Sequence, residues 1–347
     1  MYVERFSRLL SQLGCFYPIL CASMSAASLS ESIMTSICAK DLMVMSDIEG
    51  YGSRTNSLLL ALRQRLSPSC SAGATGTVHP ADTGTVVFFP GDVQNFEERM
   101  KHHPFNKAWR AWTFENTMDI LQKRFPHSHV IMVTPSRRVE EAFSCFQNFM
   151  EVDATGSPVN YDHHNAWEHL KLLLEAAWRR IDKESGSSEV PSQKCSQDMV
   201  ENANTHVPAE QHSPNGGSPL TFIGFSKGCT VLNQLVVELP EASKNPDLLA
   251  FISRIKHFYW LDGGHSGTVS TYVTDDSSLK ELAKLKATIH VHVTPYQVKD
   301  EGRPHIGDDH QSFLTSLLHH GGNVQRKLHF PEERRSLKRH FEVLKVF

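Results

Sequence analysis

The chain has 347 residues, enough for one large domain with added segments, and 40% of them are hydrophobic. Its formal net charge of −3 provides no overall basic field, so nucleic acid is not expected as a partner. The seven cysteines are an odd number without a C-x-x-C pair, which argues against a disulfide framework and a zinc ribbon. No apolar run reaches the roughly 18 residues that a bilayer-spanning helix needs, so no transmembrane segment is expected.

Residues 1–40 have the composition of a targeting segment. They contain Arg5 and Arg8, many serines and only two acidic residues, and the stretch 6–20 places apolar side chains on one helical face. This pattern is typical of a mitochondrial transit peptide, and we expect delivery to the matrix. A secretory signal is the alternative, because residues 13–22 are moderately apolar and lead into small residues.

The first half of the chain after residue 40 alternates between predicted strands and helices. Two apolar runs flank a turn-rich stretch and predict a hairpin, although the second run also has partly helical spacing. A loop rich in Ser, Gly and Pro follows at residues 67–84. The predicted strands are 41–46, 56–63, 85–89 and 129–134, and the predicted helices are 112–125 and 166–181.

Residues 183–219 interrupt this alternation, because they are polar and nearly free of large apolar side chains. We interpret them as a disordered insertion. Beyond them the alternation resumes, with predicted strands at 220–223, 254–261, 288–294 and 323–330, helices at 227–239, 277–286 and 308–320, and a loop at 295–307. Strands that alternate with helices predict a mostly parallel sheet flanked by helices, so residues 41–347 form one α/β domain that carries the insertion.

The motif that carries chemistry is Gly224-Phe225-Ser226-Lys227-Gly228, which lies between a predicted strand and a predicted helix. In this setting it indicates the nucleophile elbow of an α/β-hydrolase, with Ser226 as the nucleophile. Gly224 and Gly228 let the strand and the helix approach each other, and the Lys227 N–H can serve an oxyanion. An ordinary tight turn with an exposed serine is the alternative.

A second oxyanion donor is expected from the loop after strand 85–89, where Gly91 and Asp92 stand. Gly91 would let the backbone approach a substrate, and the N–H of Asp92 or Val93 could donate a hydrogen bond. A simple turn is the alternative interpretation of this loop. The Lys227 side chain could attract an anionic substrate, but at this position it more often points to solvent.

A serine nucleophile of this kind needs an acid and then a histidine in that chain order. Asp300 follows a predicted strand where this fold carries its acid, and His340 follows the last predicted strand. We therefore expect Ser226, Asp300 and His340 to form a triad. Asp262, after the preceding strand, is the alternative acid, and His265 is the alternative base.

Neither a metal nor a cofactor is expected. The adjacent histidine pairs point in different directions, and His290 and His292, which share a strand face, have no obvious carboxylate partner nearby. His329 is expected to be structural. The stretch 267–276 is the best candidate for a cap loop over the site.

Four unusual strings are similar to those of the "chromosome 2 open reading frame 69" family of vertebrate mitochondrial proteins. They are FFPGDVQN from residue 88, IGFSKGC from residue 223, YWLDGGHSG from residue 259 and HVTPYQV from residue 292. The resemblance covers about residues 85–347. It implies a mitochondrial protein with an α/β-hydrolase-like fold, linked to respiratory-chain function and energy metabolism, and it implies no substrate.

Two functions of different classes therefore compete. The first is a serine hydrolase that acts on an ester, a thioester or a lipid-like acyl substrate; transfer of the acyl group to an acceptor is a variant of this hypothesis. The second is a catalytically inactive member of the fold that binds a protein or metabolite partner in mitochondria.

Overall fold

The computed structural model describes residues 42–63, 84–186 and 217–347. The predicted presequence at 1–40 lies outside the described residues. So do most of the predicted loop at 67–84 and most of the predicted insertion at 183–219.

The described residues build an eight-stranded sheet with the order β1-β2-β4-β3-β7-β8-β9-β10, beside a two-stranded hairpin, β5-β6. The strands are β1 (Leu42–Glu49), β2 (Thr55–Ala61), β3 (Thr85–Phe89), β4 (His129–Val133), β5 (Arg137–Val139), β6 (Phe143–Cys145), β7 (Leu220–Phe225), β8 (Ile255–Leu261), β9 (Thr288–Val293) and β10 (Asn323–Leu328). The six strands from β4 to β10 in this order are parallel, whereas β2 pairs antiparallel with both β1 and β4. The predicted α/β-hydrolase-like sheet and its N-terminal hairpin are thereby confirmed.

Helices cover both faces of this sheet. They are α1 (Glu97–His102), α2 (Phe114–Arg124), α3 (Ala166–Gly186), α4 (Cys229–Ala242), α5 (Pro246–Ile252), α6 (Asp276–Lys284), α7 (Pro295–Val298), α8 (His305–His319) and α9 (Leu337–Val346). Alternate residues of β3 belong to two separate hydrophobic cores: Val87 and Phe89 face one, and Val86 and Phe88 face the other. A strand buried on both faces has no polar side, which is why β3 is an unbroken apolar run.

The structure differs from the predicted elements at several points. Helix α3 continues to Gly186, so residues 183–186 of the predicted disordered insertion are helical. Helix α6 begins one residue earlier than predicted, and Asp275 caps it by accepting a hydrogen bond from the Ser278 N–H. The predicted loop 295–307 contains α7 and the start of α8. The hairpin β5-β6 and the helices α1, α5 and α9 were not predicted.

The parallel strands end side by side, and this brings distant loops together. Phe89 at the end of β3 is in register with Gly224, and Phe225 at the end of β7 is in register with Leu261 at the end of β8. The loops that begin at Pro90, Ser226 and Asp262 therefore leave the same edge of the sheet. In parallel α/β sheets this carboxyl edge is where ligands bind.

Candidate active site

Ser226 lies on a strained turn between β7 and α4. Its φ is +52°, in the left-handed region that residues with a Cβ seldom adopt. A side chain at Gly228 would place its Cβ 2.0 Å from the Phe89 carbonyl oxygen, and one at Gly224 would place its Cβ 2.8 Å from Cys229 Cα. The tight approach of strand and helix therefore requires glycine at both positions, as the elbow motif predicts.

His340 comes from α9 and is fixed on three sides. Its Nδ1 donates a hydrogen bond of 2.7 Å to the Asp262 carboxylate. Its ring lies between those of Phe225 and Tyr296, with centroid distances of 4.8 and 4.7 Å. Because Nδ1 carries the proton that Asp262 accepts, Nε2 is left as the basic nitrogen.

Asp262 is fully buried and its carboxylate is saturated with donors. Oδ1 accepts from the Thr294 N–H at 2.7 Å, and Oδ2 accepts from the Thr294 hydroxyl at 2.6 Å as well as from His340. Three hydrogen bonds hold the carboxylate in one orientation. Asp262 is thus the acid that orients His340. It is the residue predicted from the sequence as the alternative to Asp300.

Asp300, the preferred acid, has a different environment. Its Oδ2 accepts from Arg303 Nε and from Arg335 Nη2, each at 2.7 Å, and its Oδ1 accepts from the Gly302 N–H at 3.0 Å. The carboxylate is committed to this cluster instead of to His340. The expected pairing of Asp300 with His340 is therefore corrected to Asp262 with His340.

The loop after β3 lies against Ser226, where an oxyanion donor is expected, but its N–H groups are not equivalent. The Gly91 N–H donates to Gln94 Oε1 at 3.0 Å, and the Val93 N–H donates to the Ala142 carbonyl at 2.6 Å. Both are therefore already used within the protein. The Asp92 N–H remains the candidate from this loop, together with the Lys227 N–H at the elbow.

The Lys227 side chain is buried, so the expectation that it points to solvent is wrong. Its Nζ lies 3.0 Å from Asp92 Oδ2 and 3.1 Å from the Thr155 carbonyl oxygen. Asp92 Oδ1 in turn accepts from the Ser144 N–H of the β5-β6 hairpin at 2.7 Å. A buried ion pair thus ties the elbow to the predicted oxyanion loop, and it leaves the Lys227 charge neutralised by protein.

Three of the residues with a left-handed backbone lie at this site. Val93, Ser226 and Asp262 have φ angles of +71°, +52° and +47°. A β-branched residue such as Val93 is rare in this region of φ, and each strained residue costs on the order of 1–3 kcal/mol. Such strain persists where surrounding contacts over-determine the backbone, and it gathers at functional sites.

A cavity of about 250 Å³ lies beside Ser226 and His340. Asp92, His265 and Arg303 also line it. His265 is buried, its Nδ1 donates to the Ser266 carbonyl at 3.0 Å, and burial lowers its pKa. His265 therefore belongs to the wall of the site, whereas His340 is the histidine that is paired with an acid.

The stretch 267–276, predicted as a cap loop, contributes Gly267 to the cavity wall. Its Tyr272 is fully buried in the core, and Thr271 donates hydrogen bonds to Asp309. The loop is thus anchored at its centre in this structure. Whether it opens as a cap stays a prediction.

Some residues that shape the site were not identified from the sequence. Thr294 fixes Asp262, and Tyr296 packs on His340; both lie in the string HVTPYQV that carries the family resemblance. Among the described residues, no group of three or more His, Cys, Asp or Glu side chains is placed to hold a metal ion. None of the described helices is both long and apolar enough to cross a bilayer.

The sequence matches the C2orf69 protein family over residues 44–218 and 210–323. The chain belongs to the C2orf69 family. It is 40% identical to the mouse "Mitochondrial protein C2orf69 homolog", over 87% of this chain and 86% of that protein. It is 36% identical to human "Mitochondrial protein C2orf69", covering 91% and 89%, and 34% identical to the zebrafish homologue, covering 97% and 95%.

Among solved structures, this C2orf69 family member is similar to two bacterial carboxylesterases. The Bacillus cereus carboxylesterase is 7% identical, with a TM-score of 0.33, over 77% of this chain and 88% of that chain. The Bacillus subtilis carboxylesterase CesB is 7% identical, with a TM-score of 0.34, over 89% and 88%. Likenesses this distant carry no argument about chemistry.

Proposed function

We propose that this protein is a serine hydrolase that cleaves a carboxylic ester or thioester. The observation that carries the proposal is the Asp262–His340 pair beside the cavity that Ser226 lines. A histidine with its Nδ1–H held by a buried carboxylate is oriented to accept a proton at Nε2. The strained serine at the elbow supplies that proton and becomes the nucleophile.

The proposed reaction follows from these positions. Ser226 Oγ attacks the acyl carbon while His340 Nε2 takes the hydroxyl proton, and Asp262 stabilises the imidazolium. The Asp92 and Lys227 N–H groups would stabilise the oxyanion. The bond to the leaving group then breaks as His340 returns the proton to the leaving oxygen or sulfur. Water, deprotonated by His340, attacks the acyl-enzyme and releases the acid and free Ser226.

Labelling with a fluorophosphonate tests the nucleophile without knowledge of the substrate. We expect the probe to attach to Ser226, because it reacts with serines that a neighbouring base activates. Ser226→Ala should abolish the label, and intact-mass and peptide mass spectrometry would measure both outcomes. Folded protein that stays unlabelled would contradict the proposal and favour a non-catalytic partner-binding role.

We further propose that residues 1–40 direct the protein to the mitochondrial matrix, where it would support respiratory-chain function and energy metabolism. The support is the arginine-containing, acid-poor composition of this segment and the mitochondrial names of the relatives. Residues 1–40 fused to a fluorescent reporter should be protected from protease in intact mitochondria and exposed only after the inner membrane is opened. A reporter that remains in the cytosol would contradict this proposal.

A further inference from the structure

The cavity beside Ser226 is lined by both apolar and polar side chains. Val93, Phe143, Leu337 and Phe341 are apolar, whereas Arg303 is among the polar residues. Its volume of about 250 Å³ is below the roughly 300–1,000 Å³ of sites for drug-sized ligands. The space therefore suits a short acyl group with an apolar body and a polar end.

The carboxylates near the cavity only partly balance the positive charge of Arg303. Asp92 and Arg303 are the residues with fixed charges among the described residues that line the cavity, and Asp92 faces Lys227. Arg303 faces Asp300, but Arg335 binds the same carboxylate oxygen at the same distance of 2.7 Å. Two cations thus share one anion, and Arg303 is the one of the two that lines the cavity.

Arg303 also has donors to spare. A guanidinium carries five N–H groups in a planar fork, and Asp300 occupies the one on Nε. Its Nη2 contacts Gln297 Oε1 only at 3.5 Å, the far limit of a hydrogen bond. The outer nitrogens can therefore bind a carboxylate in bidentate fashion, the geometry that arginine prefers.

The other groups around the cavity do not neutralise this charge. Asp262 is fully buried behind His340, and its charge is matched when the histidine takes the serine proton. Because burial lowers the pKa of His265, this residue adds no fixed charge. A substrate anion could bind the Arg303 donors that Asp300 does not occupy.

We propose that the acyl group of the substrate ends in a carboxylate, so that the substrate is the half-ester or half-thioester of a short dicarboxylic acid. Arg303 binds the distal carboxylate while Ser226 attacks the acyl carbon at the other end. This inference rests on the proposed hydrolase function and adds the substrate class. The apolar residues of the lining accommodate the methylene groups between the two ends.

The test compares two esters with the same number of acyl carbons, 4-methylumbelliferyl glutarate and 4-methylumbelliferyl pentanoate. We expect the purified protein to favour the glutarate ester in kcat/KM. Arg303→Gln should lower the glutarate-to-pentanoate ratio by about 10- to 100-fold, the range for loss of a hydrogen bond to a charged group. Hydrolysis by Ser226→Ala provides the background rate.

Arg335→Gln is the graded comparison, because it removes the other cation from Asp300 and keeps the Arg303 side chain in the cavity lining. It should lower the ratio less than Arg303→Gln does, since Arg303 is then balanced by Asp300 but can still contact the distal carboxylate. Fluorophosphonate labelling distinguishes failure of the proposed substrate class from failure of the proposed hydrolase function. Labelled Ser226 with no preference for glutarate, or with a ratio that Arg303→Gln leaves unchanged, overturns the substrate class alone. Absence of labelling overturns the hydrolase function and this inference together.

Discussion

Replacing Asp262 with asparagine is expected to slow the reaction of Ser226 with a fluorophosphonate, and any ester turnover, by about 10⁴-fold. The reason is a forced change of tautomer. The Thr294 backbone N–H donates to Oδ1 and cannot reverse its role, so the amide oxygen of the introduced asparagine must occupy that position. The amide nitrogen then takes the place of Oδ2 and donates toward His340, whose proton moves to Nε2 and blocks removal of the serine proton.

The substitution should leave the fold intact. Asp262 has a φ of +47°, and asparagine adopts this region more readily than most residues. Labelling rates measured at several probe concentrations, together with circular dichroism of the variant, would separate a chemical from a structural effect. A labelling rate near that of the wild type would show that Asp262 does not orient the base.

Asp300→Asn is the matched comparison, because sequence order alone favoured this carboxylate. Its loss leaves Arg303 and Arg335 facing each other without an anion, so we expect a lower free energy of unfolding. The loss in labelling rate should be orders of magnitude smaller than for Asp262→Asn, because Asp300 does not hold His340. The reverse order of the two effects would restore Asp300 as the acid.

The parallel sheet and the elbow could be predicted because both depend on local sequence. Strands buried on two faces appear as continuous apolar runs, and the turn at Ser226 needs glycines at fixed positions around the serine. The hairpin β5-β6 and α9 lacked such signals. β5 and β6 have three residues each, and α9 lies in a strongly charged tail.

The acid could not be chosen from sequence, because Asp262 and Asp300 both follow a strand that ends at the same edge of the sheet. The choice depends on which side chains converge in space. Thr294 and His340 meet Asp262, whereas Arg303 and Arg335 meet Asp300. The burial of Lys227 could not be predicted for the same reason, because its partner Asp92 follows a different strand of the sheet.

Mild acid is expected to destabilise the protein strongly, through a histidine ladder on the sheet face that α9 covers. The ladder consists of His257, His290, His292 and His329. His257 Nδ1 and His290 Nε2 are 3.1 Å apart, and His292 Nδ1 and His329 Nε2 are 2.8 Å apart. Each hydrogen bond needs one neutral ring to accept it, so a pair loses its bond when both of its rings are protonated.

Burial is the main cause that holds these rings neutral. It lowers the pKa of His290 and of His329 to about 4, and that of His292 to about 3, from the ordinary value of 6.5. Neighbouring cations, Arg124 and Lys327 among them, act in the same direction. Below pH 6.5 the unfolded chain therefore binds protons at these histidines that the folded chain does not bind.

This difference in proton binding between the folded and unfolded chains sets the direction in which stability changes with pH. The stability contributed by the ladder is complete above about pH 6.5 and is lost as the pH falls toward 4. Each histidine held neutral costs about 1.4 kcal/mol for every pH unit in that window, so at pH 5 these three rings cost on the order of 6 kcal/mol. This approaches the whole stability of a typical domain, about 5–15 kcal/mol.

Urea unfolding at pH 7.5, 6.5 and 5.5 would measure the loss in the free energy of unfolding. A double variant would show whether the ladder causes this loss. In His292→Asn/His329→Gln the amides replace Nδ1 and Nε2 and can keep a hydrogen bond, but they do not titrate. The dependence of stability on pH should then become shallower. His127→Gln removes an exposed histidine and should leave the slope unchanged. Equal slopes in all three proteins would place the acid sensitivity outside the ladder.

The ladder also connects acid sensitivity to the site. Phe347, at the end of α9, packs edge-on against His292 and Tyr259 with centroid distances of 6.1 and 5.6 Å. Protonation of His292 would weaken this contact and loosen the helix that carries His340. We therefore expect fluorophosphonate labelling to decline at a higher pH than global unfolding. In the His292→Asn/His329→Gln variant the pH at which labelling declines should move downward, and a decline at an unchanged pH would contradict a link between the ladder and the site.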